Sequence, residues 1–148
     1  MKREVDPETE RNPLEDGNVY SQIVIDHATR PRNVGMIPNA DGFARITGPC
    51  GDTMEIWLRV RDSVIQQVTF WTDGCVTTIA AGSMATELVN GKRMEQALSI
   101  TQEAVLEALG GLPEDSVHCA LLASNTLKAA CRDYLALRNE PWKRVYRK

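Results

Sequence analysis

No stretch of this chain approaches the roughly 18 to 20 consecutive apolar residues that a membrane-spanning helix requires, so a place within a bilayer is not expected. A basic surplus is missing too. Seventeen Lys and Arg stand against 20 Asp and Glu, for a net charge of -3. The positive field that neutralises nucleic-acid phosphates is therefore not available, and nucleic acid is not an expected partner. Cysteine is scarce, with four residues at 50, 75, 119 and 131, too few and too scattered for a disulfide framework. The segment Met1 to Asp16 is too charged for a secretory signal. These features together predict a cytoplasmic protein with reduced thiols. Internal repeats and low-complexity tracts are also lacking.

What remains is a chain of 148 residues, the length of one domain with a core of its own. Residues 1–17 combine charge and proline with almost no apolar periodicity and are expected to form a flexible tail. The folded domain is assigned to 18–138 and a basic C-terminal tail to 139–148. Asn18 is placed as the cap of a short helix through Ala28, ended by Pro31. Pro31 to Gly42 reads as loop. Phe43 to Thr47 is a candidate strand. Met54 to Arg61 alternates strictly, with Met54, Ile56, Leu58 and Val60 on one face and Glu55, Trp57, Arg59 and Arg61 on the other. Asp62-Ser63 is a two-residue turn without the favoured glycine, leading to a partner strand at Val64 to Trp71. After Gly74 the spacing becomes helical, through Ile79, Met84, Leu88 and Val89 to a stop at Gly91. Met94 to Leu98, a helix capped by Thr101 and stopped at Gly110-Gly111, and a long helix from about Val117 to Leu137 complete the series. Strands first and helices afterwards predict an α+β fold, a small antiparallel sheet of about three strands packed against helices.

Free cysteine in a reduced compartment is ordinarily a small buried hydrophobe. Cys131, on the apolar face of the last helix, fits that description. The other three have polar neighbours. Gly48-Pro49-Cys50-Gly51-Asp52 is a loop whose glycines leave Cys50 and Asp52 free to point at one ion. Asp73-Gly74-Cys75 lies where a strand gives way to a helix, so that unpaired amides and the helix dipole favour a thiolate. Ser116-Val117-His118-Cys119 opens the last helix and sets an imidazole beside a third thiol. Three thiolates, a carboxylate and an imidazole suit one metal site: zinc takes four such ligands, and a [2Fe-2S] cluster also takes four. An oxygen or nitrogen in place of a fourth cysteine makes a cluster labile. Spacing alone does not distinguish zinc from iron-sulfur.

The same residues resemble the IscU/NifU-type iron-sulfur cluster assembly scaffolds over about Asn18 to Leu137. The resemblance runs through Tyr20-Ser21, Asp26-His27, Pro31-Arg32-Asn33-Val34-Gly35, Cys50-Gly51-Asp52, Asp73-Gly74-Cys75, Ala80-Ala81-Gly82-Ser83, Val89-Asn90-Gly91-Lys92, His118-Cys119 and Lys128-Ala129-Ala130. It implies an IscU/SufE-like fold and a carrier with no independent turnover. Sulfur would come as persulfide from a pyridoxal-phosphate cysteine desulfurase, with Cys119 as acceptor. Iron would join it, and a transient [2Fe-2S] cluster would pass to apo-proteins or carriers. Cys50, Cys75 and Cys119 match the family's cysteines, Asp52 the acid that tunes lability, and His118 the alternative ligand. A homodimer sharing a cluster stays open.

One departure concerns a chaperone. Many members carry Leu-Pro-Pro-Val-Lys, read by an Hsp70-type chaperone, before the histidine; here the segment is Leu112-Pro113-Glu114-Asp115-Ser116, and chaperone-assisted release is not implied. The SufU-type insertion after the second cysteine is also missing, and His118 is retained, which sets the chain nearer the IscU/NifU side. Competing readings of the residues are a zinc-bound sulfur acceptor that stimulates a desulfurase, a Cys-His-Asp hydrolase with Cys119 as nucleophile, and a structural zinc domain. The hydrolase leaves Cys50 and Cys75 without a role.

Overall fold

A computed structural model of the protein describes residues 20–140 and Trp142. The leader assigned to 1–17 lies outside them, as does most of the tail assigned to 139–148. Helix α1 spans Gln22–Thr29 and begins at Ser21, whose oxygen accepts from the Val24 amide at 3.0 Å while its hydroxyl donates to the Leu109 carbonyl. Ser21 thus takes the capping role expected of Asn18, which lies outside the described residues. An early amide is satisfied, and the same hydroxyl ties α1 to a helix 88 residues away. Val24 and His27 turn inward. His27 meets the Ser83 hydroxyl at 2.7 Å, and Asp26 holds Arg30 and Arg32.

Strands β1 (Gly42–Thr47), β2 (Thr53–Arg61) and β3 (Val64–Thr72) form one antiparallel sheet in that order. Met54, Ile56 and Leu58 are fully buried on the helix-covered face, as alternation predicts. Asp62 and Ser63 both adopt left-handed backbone, with φ of 55 and 64°, the hairpin geometry that glycine would ease. The pairing then slips by one. Val60 faces Ile65 and Arg59 faces Gln67, which leaves Gln66 as the extra residue of a bulge. Ile65 and Val68, three positions apart, can therefore share the buried face.

Helices α2 (Val76–Val89), α3 (Met94–Leu98), α4 (Gln102–Leu109) and α5 (Val117–Asn139) follow. Thr101 caps α4 by accepting from the Ala104 amide, and Gly110, at φ 77°, ends it in the left-handed region that glycine tolerates best. Helix α2 is buried almost all round because its middle is built of small residues. Ala80, Ala81 and Ala85 are fully buried, and a Cβ at Gly82 would stand 2.6 Å from the Phe70 ring. Helix α5 packs against β1, β2 and α2. On it Cys131 is wholly enclosed, and burial pushes its thiol up to about 12, in keeping with a core residue. The sequence therefore folds as the expected α+β arrangement. Among the described residues no helix is long and apolar enough to cross a membrane.

The outer edge of β3 is closed by main chain rather than by another strand. Phe70 donates to the Asn33 carbonyl at 2.8 Å and accepts from the Gly35 amide at 3.0 Å. Further along, Ile65 donates to Lys92 at 2.8 Å and accepts from Gly91 at 2.9 Å. Two loops read as punctuation in the sequence thus cover backbone groups that would otherwise face solvent.

Candidate functional site

Antiparallel pairing brings the end of β1, the start of β2 and the end of β3 to one end of the sheet, and three cross-links clamp that end. The Thr53 amide donates to Asp73 Oδ1 at 2.8 Å, the Asp73 amide donates to the Thr53 carbonyl at 3.2 Å, and the Thr72 hydroxyl donates to the same carbonyl at 2.6 Å. Asp52 directly precedes β2 and Cys75 is the N-cap of α2. The clamp therefore fixes their separation. Gly74 is what lets them meet: a Cβ there would stand 2.7 Å from Asp52 Oδ2 and 2.7 Å from Thr78 Cβ.

Cys119 arrives from the first turn of α5. Its sulfur lies 3.3 Å from the hydroxyl of Thr77 and 3.3 Å from that of Thr78. Cys75 Sγ lies 3.1 and 3.7 Å from the same two hydroxyls. Thr78 also donates to Asp52 Oδ2 at 2.8 Å. Two adjacent threonines thus join two sulfurs and a carboxylate from three separate stretches of chain. His118 Nε2 is 3.8 Å from Cys119 Sγ, at the outer limit of a bond to sulfur. Neighbouring helix residues diverge by about 100°, yet the imidazole folds back to its neighbour.

Cys50 is placed differently. It is exposed in the β1–β2 loop, which closes through bonds from Gly48 to the Asp52 carbonyl and from Gly51 to the Gly48 carbonyl. Gly51 takes φ 93°, a backbone that glycine adopts most readily. The loop lies over Leu122 of α5, whose side chain comes within 3.6 Å of a Cβ built at Gly48. Cys50 therefore flanks the group without joining it. Among the described residues no three His, Cys, Asp or Glu side chains stand in chelating geometry.

Cys75, which is exposed, and Cys119, which is buried, differ in character. Burial raises Cys75, but hydrogen bonding with the side chains and backbone of Thr77 and Thr78 outweighs it and brings the thiol below its ordinary pKa. The direction is the one expected for a cysteine at a helix start. At Cys119 burial wins, reinforced by the charges of Cys75 and Asp52 against the threonine bonds, and the pKa is raised. The same expectation therefore fails at Cys119, because enclosure outweighs whatever the helix terminus supplies. Iodoacetamide mapped by peptide mass spectrometry reads this out. Cys75 should be modified at lower pH than a free thiol, Cys50 should react as an exposed residue, and Cys119 and Cys131 should remain unmodified until denaturant is added. Native labelling of Cys119 at the rate of Cys75 would contradict the burial described.

Residues 19–141 match the family described as the NifU-like N terminal domain. The chain belongs to the IscU/NifU-type scaffold family. It is 50% identical over 117 residues to the iron-sulfur cluster assembly scaffold protein IscU 1 of Archaeoglobus fulgidus, covering 78% of this chain and 76% of that protein. It is 43% identical over 119 residues to IscU of Aquifex aeolicus, with 78% and 76% covered. The crystal structure of a nitrogen-fixing NifU-like N-terminal protein from Brucella abortus superposes with a TM-score of 0.62 at 18% identity, covering 78% of this chain and 94% of that one. That last likeness bears on the fold. Family membership and the α+β architecture agree with the motif reading, while Thr77 and Thr78 emerge only from the geometry. In the sequence they were no more than polar neighbours of Cys75.

Proposed function

We propose that this protein is a scaffold on which an iron-sulfur cluster is assembled from delivered sulfur and iron, held, and passed to acceptor apo-proteins or carriers in a reducing cytoplasm. The observation that carries this reading is the meeting of Cys75, Cys119 and Asp52 on one pair of hydroxyls, with the Cys50 loop beside them. The donors suit the cargo. Cys50, Cys75 and Cys119 are its thiolate ligands, and Asp52 is the exchangeable oxygen ligand with His118 as its alternative. Four such ligands match the number that a [2Fe-2S] cluster takes, and zinc takes the same number. Holding either cargo requires the glycine-flanked Cys50 loop to swing toward α2.

Sulfur enters at Cys119. Its thiolate attacks the outer sulfur of a persulfide carried by a cysteine desulfurase. A new S–S bond forms at Cys119, the donor's S–S bond breaks, and the donor cysteine leaves as thiolate. The protein itself performs no independent turnover in this scheme. Before α5, Glu114–Ser116 forms a 3-10 turn where many relatives carry the chaperone-read segment, so this reading does not require an Hsp70-type partner for release.

Anaerobic reconstitution with iron, sulfide and thiol tests the reading. A visible charge-transfer spectrum with about two irons per chain or per shared dimer is expected, and a colourless protein that holds only zinc would refute it. Asp52→Ala should keep the fold and release the cluster more slowly, because the exchangeable oxygen is gone and thiolates and His118 remain. Transfer to an apo-ferredoxin, followed by absorbance, measures this. An unchanged rate would remove Asp52 from the control of lability.

A further inference from the structure

Thr77 and Thr78 are 2% and 0% exposed, and a buried hydroxyl is costly unless bonded. The other buried threonines that lie in helices meet that need inside their own helix. Thr86 bonds back to the Gly82 carbonyl at 3.0 Å, and Thr126 to that of Leu122 at 2.7 Å, the usual arrangement for a helical threonine. Thr77 and Thr78 bond instead only to Cys75, Cys119 and Asp52. They occupy the first turn of α2, before the helix offers a carbonyl of its own four residues back. A valine would fill the same space with the same branched, stiff shape, so packing alone gives no reason for hydroxyls here.

The two hydroxyls are not equivalent. Each threonine has one proton to donate. Thr78 gives its proton to Asp52 Oδ2 and turns its lone pairs toward Cys119. Thr77 keeps its proton for sulfur, within 3.1 Å of Cys75 and 3.3 Å of Cys119. We propose that Thr77 and Thr78 are positioning residues for the cargo: Thr78 orients the Asp52 carboxylate, and Thr77 fixes the spacing of Cys75 and Cys119 and shares its one proton between their sulfurs once they are ligands. The inference rests on the ligand set proposed above and adds the two groups that orient it. Hydrogen bonds of this kind stiffen a ligand set and tune its sulfurs.

Zinc and cobalt(II) serve as probes on the full chain. Zinc affinity is measured by competition with a chromophoric chelator for the parent and for Thr77→Val, Thr78→Val, Thr77→Ser and Thr78→Ser, each with a far-ultraviolet circular dichroism spectrum to verify folding. The valine variants should lose about 10- to 100-fold in affinity, the usual effect of removing an outer hydrogen bond from a metal ligand, and the serine variants should bind like the parent. The sulfur-to-cobalt charge-transfer band should move in Thr77→Val and stay in place in Thr77→Ser. If either valine variant proves unfolded, the smaller Thr77→Ala or Thr78→Ala takes its place. Parent-like affinity in the valine variants, or an equal loss in the serine variants, overturns the proposal while leaving the ligand set standing. A parent that binds neither metal removes both.

Discussion

Cys119→Ser should abolish persulfide acceptance while leaving the fold intact. Incubated with a cysteine desulfurase and cysteine, the parent should gain the mass of one sulfur atom, reversed by reductant, and the variant should gain none. Serine keeps the size of the side chain but removes the only atom able to form an S–S bond. Its hydroxyl can still meet Thr77 and Thr78, which lie 3.3 Å from the native sulfur. Cys75→Ser and Cys50→Ser should impair cluster assembly yet still permit the mass gain. If Cys119→Ser is persulfurated as fully as the parent, the acceptor is another cysteine. Because Cys119 is 1% exposed and held as thiol by burial, docking of the donor must open the first turn of α5 before attack. Transfer should therefore be slow when a small persulfide replaces the desulfurase.

Phe70→Ala should be the most damaging single core change, costing about 3–5 kcal/mol in urea unfolding. Phe70 is the largest of the fully buried side chains, and it lies where α2 crosses the sheet. Gly82→Ala should cost about 1–3 kcal/mol, since its new methyl would stand 2.6 and 2.7 Å from two ring atoms. The two changes relieve one another. With the ring gone, the methyl enters the space it left, and the double variant should be less unstable than the sum of the singles. Simple additivity would show that α2 does not rest on Phe70 as described.

Much of this architecture was legible because its causes are local. Alternation from Met54 to Leu58 named the buried face, Thr101 and Gly110 marked both ends of α4, and Asp62-Ser63 sat between two runs for which a hairpin was the simplest reading. Local signals misled or fell silent where the cause is distant. Ser21 caps α1, and its partnership with Leu109 lies far along the chain. The bulge at Gln66 resolves a conflict over which face receives Ile65, which no turn residue announces. At the site, cysteine spacing pointed to Cys50, Cys75 and Cys119 together, and the fold brings Cys75 and Cys119 onto shared hydroxyls while Cys50 stays in its loop. The need for glycine at position 74 follows from a carboxylate that comes from 22 positions earlier in the chain. The opposite character of Cys75 and Cys119 turns on depth, and their helix-start settings read alike.

The pairing of Phe70 with Asn33 and Gly35 has a consequence for how the protein meets others. Should the stretch between α1 and β1 lift away, the amide and carbonyl of Phe70 would be laid bare beside the exposed Trp71. An incoming extended peptide could then take up the vacated hydrogen bonds and lengthen the sheet by one strand. A short run of loop covers that seam, so a cut in this segment should let copies stack through it, read as a rise in mass on size-exclusion chromatography.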